Sequence, residues 1–243
     1  MTATPRLYLG GVSGPQGIET PQVMKAIPTL LLAALAASSS GARADAAAQS
    51  PGVIEGQVTL EPPPPPRRSA NRYPGGPAEA HQIQKLPAFA YLVGRIPGEG
   101  GSDAGPTMTQ RDTTFVPSVV AVRAGGTVAF PNGDPFFHNV FSYSSAQRFD
   151  LGRYPQGESK TVTFPEPGIV EVFCEVHEFM RGAIVVTENP FHAVVGDDGR
   201  FRITGVPPGE HTIVFWHPDH EPLEQRVSVP AGGTAQVEVE LRR

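Results

Sequence analysis

Cysteine is almost absent from this sequence, in which Cys174 is the only one among 243 residues. A disulfide framework needs paired cysteines, so this chain cannot crosslink itself in that way. A lone thiol outside the cytosol is open to oxidation, and the N-terminal segment described below indicates export. The thiol therefore needs a chemical reason to be present.

Clusters of positive charge are missing as well. The chain has 19 Lys and Arg against 24 Asp and Glu, which gives a formal net charge of −5. Because binding to a phosphate backbone needs clustered cations, nucleic acid is not expected as a partner. The sequence also lacks Gly-rich phosphate loops, a Ser/His/Asp arrangement at recognisable spacing and zinc-type cysteine pairs, so no enzyme is expected.

Apolar residues at helical spacing are missing beyond the N-terminal segment. In their place the chain has 27 Gly, 27 Pro and short alternating runs, among them "VIEGQVTL", "TVAF", "IVEVFC", "HTIVFW" and "AQVEVEL". Each run is bounded by Gly, Pro, Asn or Asp, a pattern typical of half-buried strands in a β-sandwich. The sequence therefore predicts an all-β fold with almost no helix.

A secretory signal pattern precedes these runs. Met24 and Lys25 introduce the apolar run "AIPTLLLAALAA", and "ARA" follows at 42–44. The run is too short to span a bilayer, so we predict a signal peptide over 1–44 that is removed near its end, with a retained helix as the alternative. Met24 is a second candidate for the true start. The mature protein is expected to be periplasmic or otherwise exported, with no membrane span.

Two segments break the strand pattern. "EPPPPPRRSANRYPGGPAEAHQIQ" contains five consecutive prolines, which favour an extended polyproline conformation and offer no donors to a sheet. "GEGGSDAGP", at 98–106, separates "AFAYLVGRIP" from the strands that follow. We predict surface loops or linkers at both places.

The lone cysteine lies in "FCEVHEFM", at the end of the apolar strand "GIVEVFC", and His177 and Met180 follow it. A soft thiolate, an imidazole and a thioether on one short loop suit a copper ion that cycles between two oxidation states. A second His would complete a trigonal plane with a long axial Met. It should come from a different strand, and His138 in "TVAFPNGDPFFHNVFS" supplies it.

These two motifs resemble the cupredoxins, small blue-copper electron carriers. The segments "AGGTVAFPNGDPFFHNV" and "GIVEVFCEVHEFM" carry the resemblance, which covers roughly residues 107–188, and the spacing Cys-x₂-His-x₂-Met is similar to that of the amicyanin type. The resemblance implies a Greek-key β-sandwich with a type 1 copper site. His138, Cys174 and His177 would be the equatorial ligands, and Met180 the axial ligand.

The resemblance also implies roles for the surroundings of the ligands. Asn139 would direct its backbone N–H at the Cys174 sulfur, which raises the reduction potential, and its side chain would tie the two ligand loops together. Asn132 is expected to fix the loop ahead of His138. Three aromatic side chains are expected to keep water off the metal: Phe136, Phe137 and Phe179.

Ordinary structural roles are the alternative for each of these residues taken singly. A buried Cys is usually a small core residue, a Met fills gaps, and the phenylalanines suit a core equally well. Charged residues around His177, namely Glu175, Glu178 and Arg181, either steer a redox partner or are merely solvated. The remaining histidines have no soft partner nearby in sequence and are expected to be structural: His81, His192, His211, His217 and His220.

The C-terminal segment resembles a second family, the carboxypeptidase regulatory-like, or transthyretin-related, β-sandwich. "DDGRFRITGVPPGEHTI" follows the recurring core pattern of that family. "GVIEGQV" at 52–58 and "AYLVG" at 90–94 resemble the first half of the same family. The resemblance implies a second, small β-sandwich whose two halves rejoin around the copper domain.

The predicted domain boundaries follow from these two resemblances. Residues 45–98 hold the first strands of the regulatory-like sandwich with the proline-rich loop, and 107–188 form the cupredoxin domain. Residues 189–243 form the rest of the sandwich, completed by 52–60 and 88–95. Insertion of one domain into another is tolerated when the two cut ends of the host lie close together.

The function predicted from this sequence is that of an exported type 1 copper protein that carries single electrons. Its partner would be a redox protein, either a dehydrogenase, an oxidase or a cytochrome, and His177 would be the ligand nearest to solvent. Copper enzymes of related fold need a second copper type, usually on His-x-His elements, and this sequence has none. Two alternatives remain: a non-redox copper-binding or delivery protein, and a cell-envelope binding module with structural copper.

Overall fold

The computed structural model describes residues 50–64, 83–98 and 105–243. The predicted signal segment, Met24, His81 and most of the proline-rich segment lie outside these residues. The described part contains no helix, and therefore none long and apolar enough to cross a membrane. All described residues belong to one compact unit.

The described part of the chain is built from strands, which confirms the predicted all-β fold. In chain order they are β1 (Gly52–Leu60), β2 (Phe89–Leu92), β3 (Thr109–Arg111), β4 (Thr114–Val116), β5 (Val119–Arg123), β6 (Gly126–Pro131), β7 (Phe141–Ser142), β8 (Phe149–Asp150), β9 (Ser159–Phe164), β10 (Gly168–Phe173), β11 (Arg181–Thr187), β12 (His192–Val194), β13 (Arg200–Val206), β14 (Gly209–Trp216), β15 (Leu223–Val229) and β16 (Thr234–Leu241).

Strands from the two ends of the described chain share two sheets. In the first sheet β1 lies between β13, to which it is antiparallel, and β16, to which it is parallel. In the second sheet, of order β12-β2-β14-β15, the short strand β2 lies between β12 and β14. Side chains from both sheets, including Ile54, Leu92, Ile203 and Phe215, pack in one buried core. We refer to this unit as the outer sandwich.

The intervening strands, β3–β11, form the domain for which the sequence predicts a copper site, and we refer to it as the copper domain. Its main sheet has the order β5-β11-β10-β7-β8, with the two-stranded sheets β6-β9 and β3-β4 beside it. Burial alternates along β6 and β10, where Val128, Phe130, Val170 and Val172 point into one core. This period of two is what a strand with one face on a core requires.

A third buried cluster joins the outer sandwich to the copper domain. Leu86, Phe89 and Trp216 of the outer sandwich pack with Val119, Ala183 and Val185 of the copper domain. Strand β11 is consequently buried on both faces, because Ile184 and Val186 point into the core of the copper domain. Burial of side chains such as Leu86 and Phe89 stabilises the interface by about 1.5–3 kcal/mol each.

The places where the chain leaves and re-enters the outer sandwich lie side by side. The amide of Asn189 donates hydrogen bonds to the carbonyls of Leu92 and Gly94, at 2.8 Å each. The backbone N–H of Leu92 donates to the carbonyl of Phe191, and Arg95 lies 3.8 Å from Glu188. Adjacent ends are what an inserted domain requires, so this geometry supports the proposed insertion.

Candidate metal centre

Sheet pairing brings two distant segments together at one end of the copper domain. Phe173, the last residue of β10, pairs with Phe141, the first residue of β7. The residue after β10 is Cys174, and His138 lies three positions before β7. The pairing therefore places these two side chains at the same edge of the sheet. His177 and Met180 lie on the loop between β10 and β11.

Three donor atoms converge at this edge. The distances are 3.5 Å from Cys174 Sγ to His138 Nδ1, 3.9 Å from Sγ to His177 Nδ1 and 3.1 Å between the two Nδ1 atoms. A triangle with these sides has its centre about 2.0 Å from each corner, close to the roughly 2.0–2.3 Å that imidazole and thiolate ligands keep from a metal ion. Within the described residues these three side chains are the one group of three or more His, Cys, Asp or Glu whose ligand atoms all lie within 4.8 Å of one another. The donor set and its spacing fit a copper ion.

Met180 lies on the same loop and is fully buried. Its backbone N–H donates to the carbonyl of His177 at 3.0 Å, which closes a tight turn between the two residues. Its side chain packs in the same core cluster as Cys174. The axial role of this thioether stays a prediction.

A carboxylate that the sequence analysis did not identify holds His138. His138 is completely buried, and its Nε2 lies 2.8 Å from Oδ2 of Asp134. Because the carboxylate accepts the Nε2 proton, Nδ1 is left with its lone pair directed at the other two donors. The only signal in the sequence is the four-residue spacing in "DPFFH", and this spacing has no meaning until the loop conformation is known.

Asp134 is itself fixed by a turn between β3 and β4. The backbone N–H groups of Asp112 and Thr113 donate to its two oxygens at 2.7 and 3.0 Å. Burial alone would raise the pKa of the Asp134 carboxyl, but the hydrogen bonds from Thr113, His138 and Asp112 outweigh it and lower this pKa. The group therefore carries a full negative charge beside the His138 ring.

We expect Asp134→Asn to weaken copper binding and to raise the reduction potential. The amide keeps the size of the side chain but removes the charge that makes the His138 imidazole a stronger donor. Loss of such a partner lowers metal affinity by about 10–100-fold. Titration against a competing chelator measures the first effect and voltammetry the second.

Glu166→Gln is the matched control for this prediction, because it removes an exposed carboxylate at the opposite end of β10. It should leave both quantities unchanged. If folded Asp134→Asn has the same copper affinity and the same reduction potential as the wild type, the carboxylate only supports the loop that carries His138.

Other contacts hold the backbone around the donors. Asn132 donates from Nδ2 to the carbonyls of Phe136 and Tyr154, and its Oδ1 accepts from the N–H of Asp134. Tyr154 and His138 exchange both backbone hydrogen bonds. Asn139 Oδ1 accepts the N–H of Glu175 at 2.7 Å, which ties the His138 segment to the Cys174 loop.

Tyr154 is a second buried residue that the sequence did not single out. Its hydroxyl donates to the carbonyl of Phe130 at 2.9 Å and accepts a hydrogen bond from the Gln110 side chain. Burial raises the pKa of this phenol, so the residue stays neutral. Tyr154 therefore anchors the His138 backbone from the core side of the sandwich.

Aromatic rings surround the half-buried His177. The centroid of the Phe136 ring lies 5.1 Å from that of the His138 ring and 5.4 Å from that of the His177 ring. Phe179 contacts His177 edge-on, with ring centroids 5.8 Å apart. Phe137 is 55% exposed, so its ring covers surface rather than the donors. These ring contacts support the predicted role of Phe136 and Phe179 in keeping water off the donor atoms.

The other described histidines lie away from this group. His192 stacks on Phe89, and His211 contacts the carbonyl of Pro207. His217 and His220 pair with each other in the outer sandwich. Of the loop charges, Glu175 faces Arg153 at 3.4 Å, and both side chains are so exposed that this ion pair contributes little to stability.

Two family models match this chain. Residues 106–187 match the copper binding proteins of the plastocyanin/azurin family, and residues 178–242 match the carboxypeptidase regulatory-like domain. Both resemblances seen in the sequence are thereby confirmed. The first match contains all four predicted ligands and supports a copper-binding function of the electron-transfer type. The second covers β11–β16, overlaps the first match over residues 178–187, and leaves β1 and β2 outside.

Individual proteins similar to this chain include an amicyanin, a cupredoxin and a copper-containing nitrite reductase. Amicyanin from Paracoccus versutus is 34% identical over 70 residues, which cover 28% of this chain and 53% of the amicyanin. This chain therefore spans about half the length of that relative. A purple cupredoxin from Nitrosopumilus maritimus is 20% identical, with 34% of this chain and 99% of that chain covered and a TM-score of 0.32. A Cu-containing nitrite reductase from Thermus scotoductus is 25% identical, with 40% of this chain and 25% of the reductase covered and a TM-score of 0.34.

Proposed function

We propose that this chain is an exported type 1 copper protein that carries single electrons between redox partners. The observation that supports it most is the convergence of Cys174, His138 and His177 from two loops that sheet pairing fixes. When bound, copper supplies the reversible gain and loss of one electron. Met180 is proposed as the axial ligand, which tunes the reduction potential more than it holds the metal.

The protein's own contribution is to keep the donors still. His138 is held by Asp134 through its ring and by Tyr154 through its backbone. Asn139 links the two ligand loops, and Cys174 follows directly on a strand of the central sheet. A preorganised polar site needs little rearrangement when its charge changes, and a small rearrangement favours fast electron transfer.

We propose the surface around His177 as the place where a redox partner docks. Three apolar side chains on the two ligand loops are well exposed: Phe136 at 41%, Phe137 at 55% and Val176 at 41%. An exposed apolar patch on a soluble protein commonly marks an interaction site. The partner is proposed to be a dehydrogenase, an oxidase or a cytochrome, with His177 as the exit for the electron.

We propose carrier rather than enzyme activity because the donor set leaves no obvious place for a substrate. Catalytic metal sites keep an open coordination position, whereas three equatorial donors and a buried thioether use the positions of a type 1 site.

Export is proposed from the signal pattern at 1–44, and N-terminal sequencing of the secreted protein tests it.

Optical and electron-paramagnetic spectra of the copper-loaded protein, followed by voltammetry, test the proposed function. An intense thiolate charge-transfer band with a reversible one-electron wave is expected. Copper that does not cycle and is readily lost to a chelator would instead favour delivery or buffering. Copper that neither cycles nor leaves would favour a structural role in a binding module.

We expect Met180→Leu to leave copper bound while the reduction potential rises. Loss of an electron-pair donor disfavours the more positive oxidation state, and the three remaining donors still hold the ion. Voltammetry measures the shift, and metal analysis measures the copper content. Met108→Leu is a matched control, since Met108 is equally buried in the same core and either change should cost less than about 1.5 kcal/mol of stability. Complete loss of metal from Met180→Leu alone would contradict the axial role.

A further inference from the structure

The residues on either side of Met180 are held by the outer sandwich. The carbonyl of Phe179 accepts the backbone N–H of Gln84 at 2.9 Å. Gln84 precedes β2 and is separated from the ligand loop by almost a hundred residues of chain. The ligand loop is therefore fixed by a segment that enters the outer sandwich, and not by the copper domain alone.

Arg181, the residue after Met180, makes the second set of contacts. Its Nε donates to the carbonyl of Gln84 at 2.9 Å, and its two terminal nitrogens donate to the two oxygens of Asp219 at 3.1 and 2.9 Å. Asp219 follows β14 of the outer sandwich. A two-pronged guanidinium–carboxylate pair is both stronger and more directional than a single hydrogen bond. Arg181 is also largely shielded, with 18% of its side chain exposed.

Gln84 is fixed on its other side by the copper domain. Its side-chain Nε2 donates to the carbonyl of Phe115 at 2.7 Å, and its Oε1 accepts the N–H of Phe115 at 3.0 Å. Phe115 is the central residue of β4 and is buried. Gln84 thus bridges β4 and the outgoing end of the ligand loop, like a one-residue strand between them.

Asp219 is fixed by a pair of buried histidines. Its N–H donates to Nδ1 of His217 at 3.2 Å, and the Nδ1 atoms of His217 and His220 lie 2.8 Å apart. Nε2 of His220 lies 2.9 Å from the carbonyl of Glu61, just beyond β1. These contacts of His217 and His220 link the Asp219 turn to β1. The carboxylate therefore lies on a turn that is fixed from both ends.

We propose that the outer sandwich is a working part of the copper site, in which Asp219 and Gln84 are positioning residues that hold Arg181 and Phe179 and thereby fix Met180 between them. This inference rests on the proposed function and assigns a role to the second domain. The adjoining cluster of Leu86, Trp216, Ala183 and Val185 packs the two domains against each other along β11. We call the contacts that Gln84 and Asp219 make with Phe179 and Arg181 the brace. Removal of the brace frees Met180, the proposed axial ligand, and leaves the three equatorial donors in place.

Asp219→Ala tests the proposal, with amide hydrogen exchange of the metal-free protein as the first readout. The N–H of Met180 is bonded to His177 within the loop, so its exchange reports whether the loop opens. Loss of a charge-assisted pair should raise this exchange rate by about ten-fold or more. In the copper-loaded protein the same variant should shift the reduction potential and the electron-paramagnetic spectrum while copper stays bound.

Two further variants separate positioning from simple loss of charge or fold. The swapped pair Arg181→Asp with Asp219→Arg preserves the total charge and should return exchange and spectrum toward the wild type. Asp219→Asn serves if the alanine variant does not fold. Glu55→Ala is the matched control, because it breaks the Glu55–Arg202 ion pair in the far sheet of the outer sandwich. It should alter neither readout.

Unchanged Met180 exchange and an unchanged spectrum in folded Asp219→Ala would overturn the proposal, since the copper domain would then fix the loop alone. Failure of the proposed function looks different. In that case the wild-type protein lacks the charge-transfer band or the reversible wave, whatever the state of the brace, and the exchange of the metal-free protein still decides whether the brace exists.

Discussion

Replacing Cys174 with serine is expected to abolish the intense visible absorption of the copper-loaded protein. In the proposed type 1 site that absorption arises from charge transfer between a thiolate and the metal, and Cys174 is the only cysteine in the chain. A neutral hydroxyl is a harder and weaker donor than a thiolate, so copper affinity should fall as well. An optical spectrum after copper titration measures the first effect, and chelator competition measures the second.

The fold should survive this change, which makes the result interpretable. Serine has nearly the size of cysteine, although Cys174 is 98% buried and its replacement places a hydroxyl in the core. Val170→Thr, on the strand that Cys174 directly follows and in the same core, introduces a hydroxyl without touching the donors. This control should be destabilised to a similar degree and keep its colour. Persistence of the colour in Cys174→Ser would remove the sulfur from the ligand set.

The second large effect is expected from truncation: residues 189–243 alone should not fold cooperatively. This fragment keeps β12–β16 but lacks β1 and β2, and each of the missing strands is interior to its sheet. Without β1, the strands β13 and β16 lose the neighbour that joins them. The core also loses Ile54, Val58, Ala90 and Leu92. Circular dichroism during urea titration should show no cooperative transition.

A chain that keeps both halves provides the counterpart. Residues 50–98 joined to 189–243 by a short Gly/Ser linker retain all seven strands of the outer sandwich, and the two ends already lie next to each other at Gly94 and Asn189. Cooperative unfolding is expected for this variant. If residues 189–243 unfold cooperatively without β1 and β2, the copper domain is not an insertion, and the C-terminal strands are an independent module.

The fold class was accessible from the sequence because strand formation leaves a local trace. Runs such as "TVAF" and "IVEVFC" alternate with a period of two, and the structure buries the same alternate residues. Strand β11 is an exception to this pattern. Its run "GAIVVT" does not alternate, because both of its faces are covered, one by the copper domain and the other by the outer sandwich.

The sequence by itself determined which donors could be predicted, since softness and spacing belong to residue type and local order: Cys174, His177 and Met180 share one loop, and His138 carries the second imidazole. Only the tertiary structure decided what orients and braces these donors. Asp134 reaches His138, and Asp219 reaches Arg181, through rotamers and turns that no periodic pattern records. The contact of Gln84 with Phe179 joins residues that only the pairing of sheets places together. Contacts between residues so far apart in the chain are properties of the packed fold. Which side chains meet depends on how all the intervening strands pair and pack.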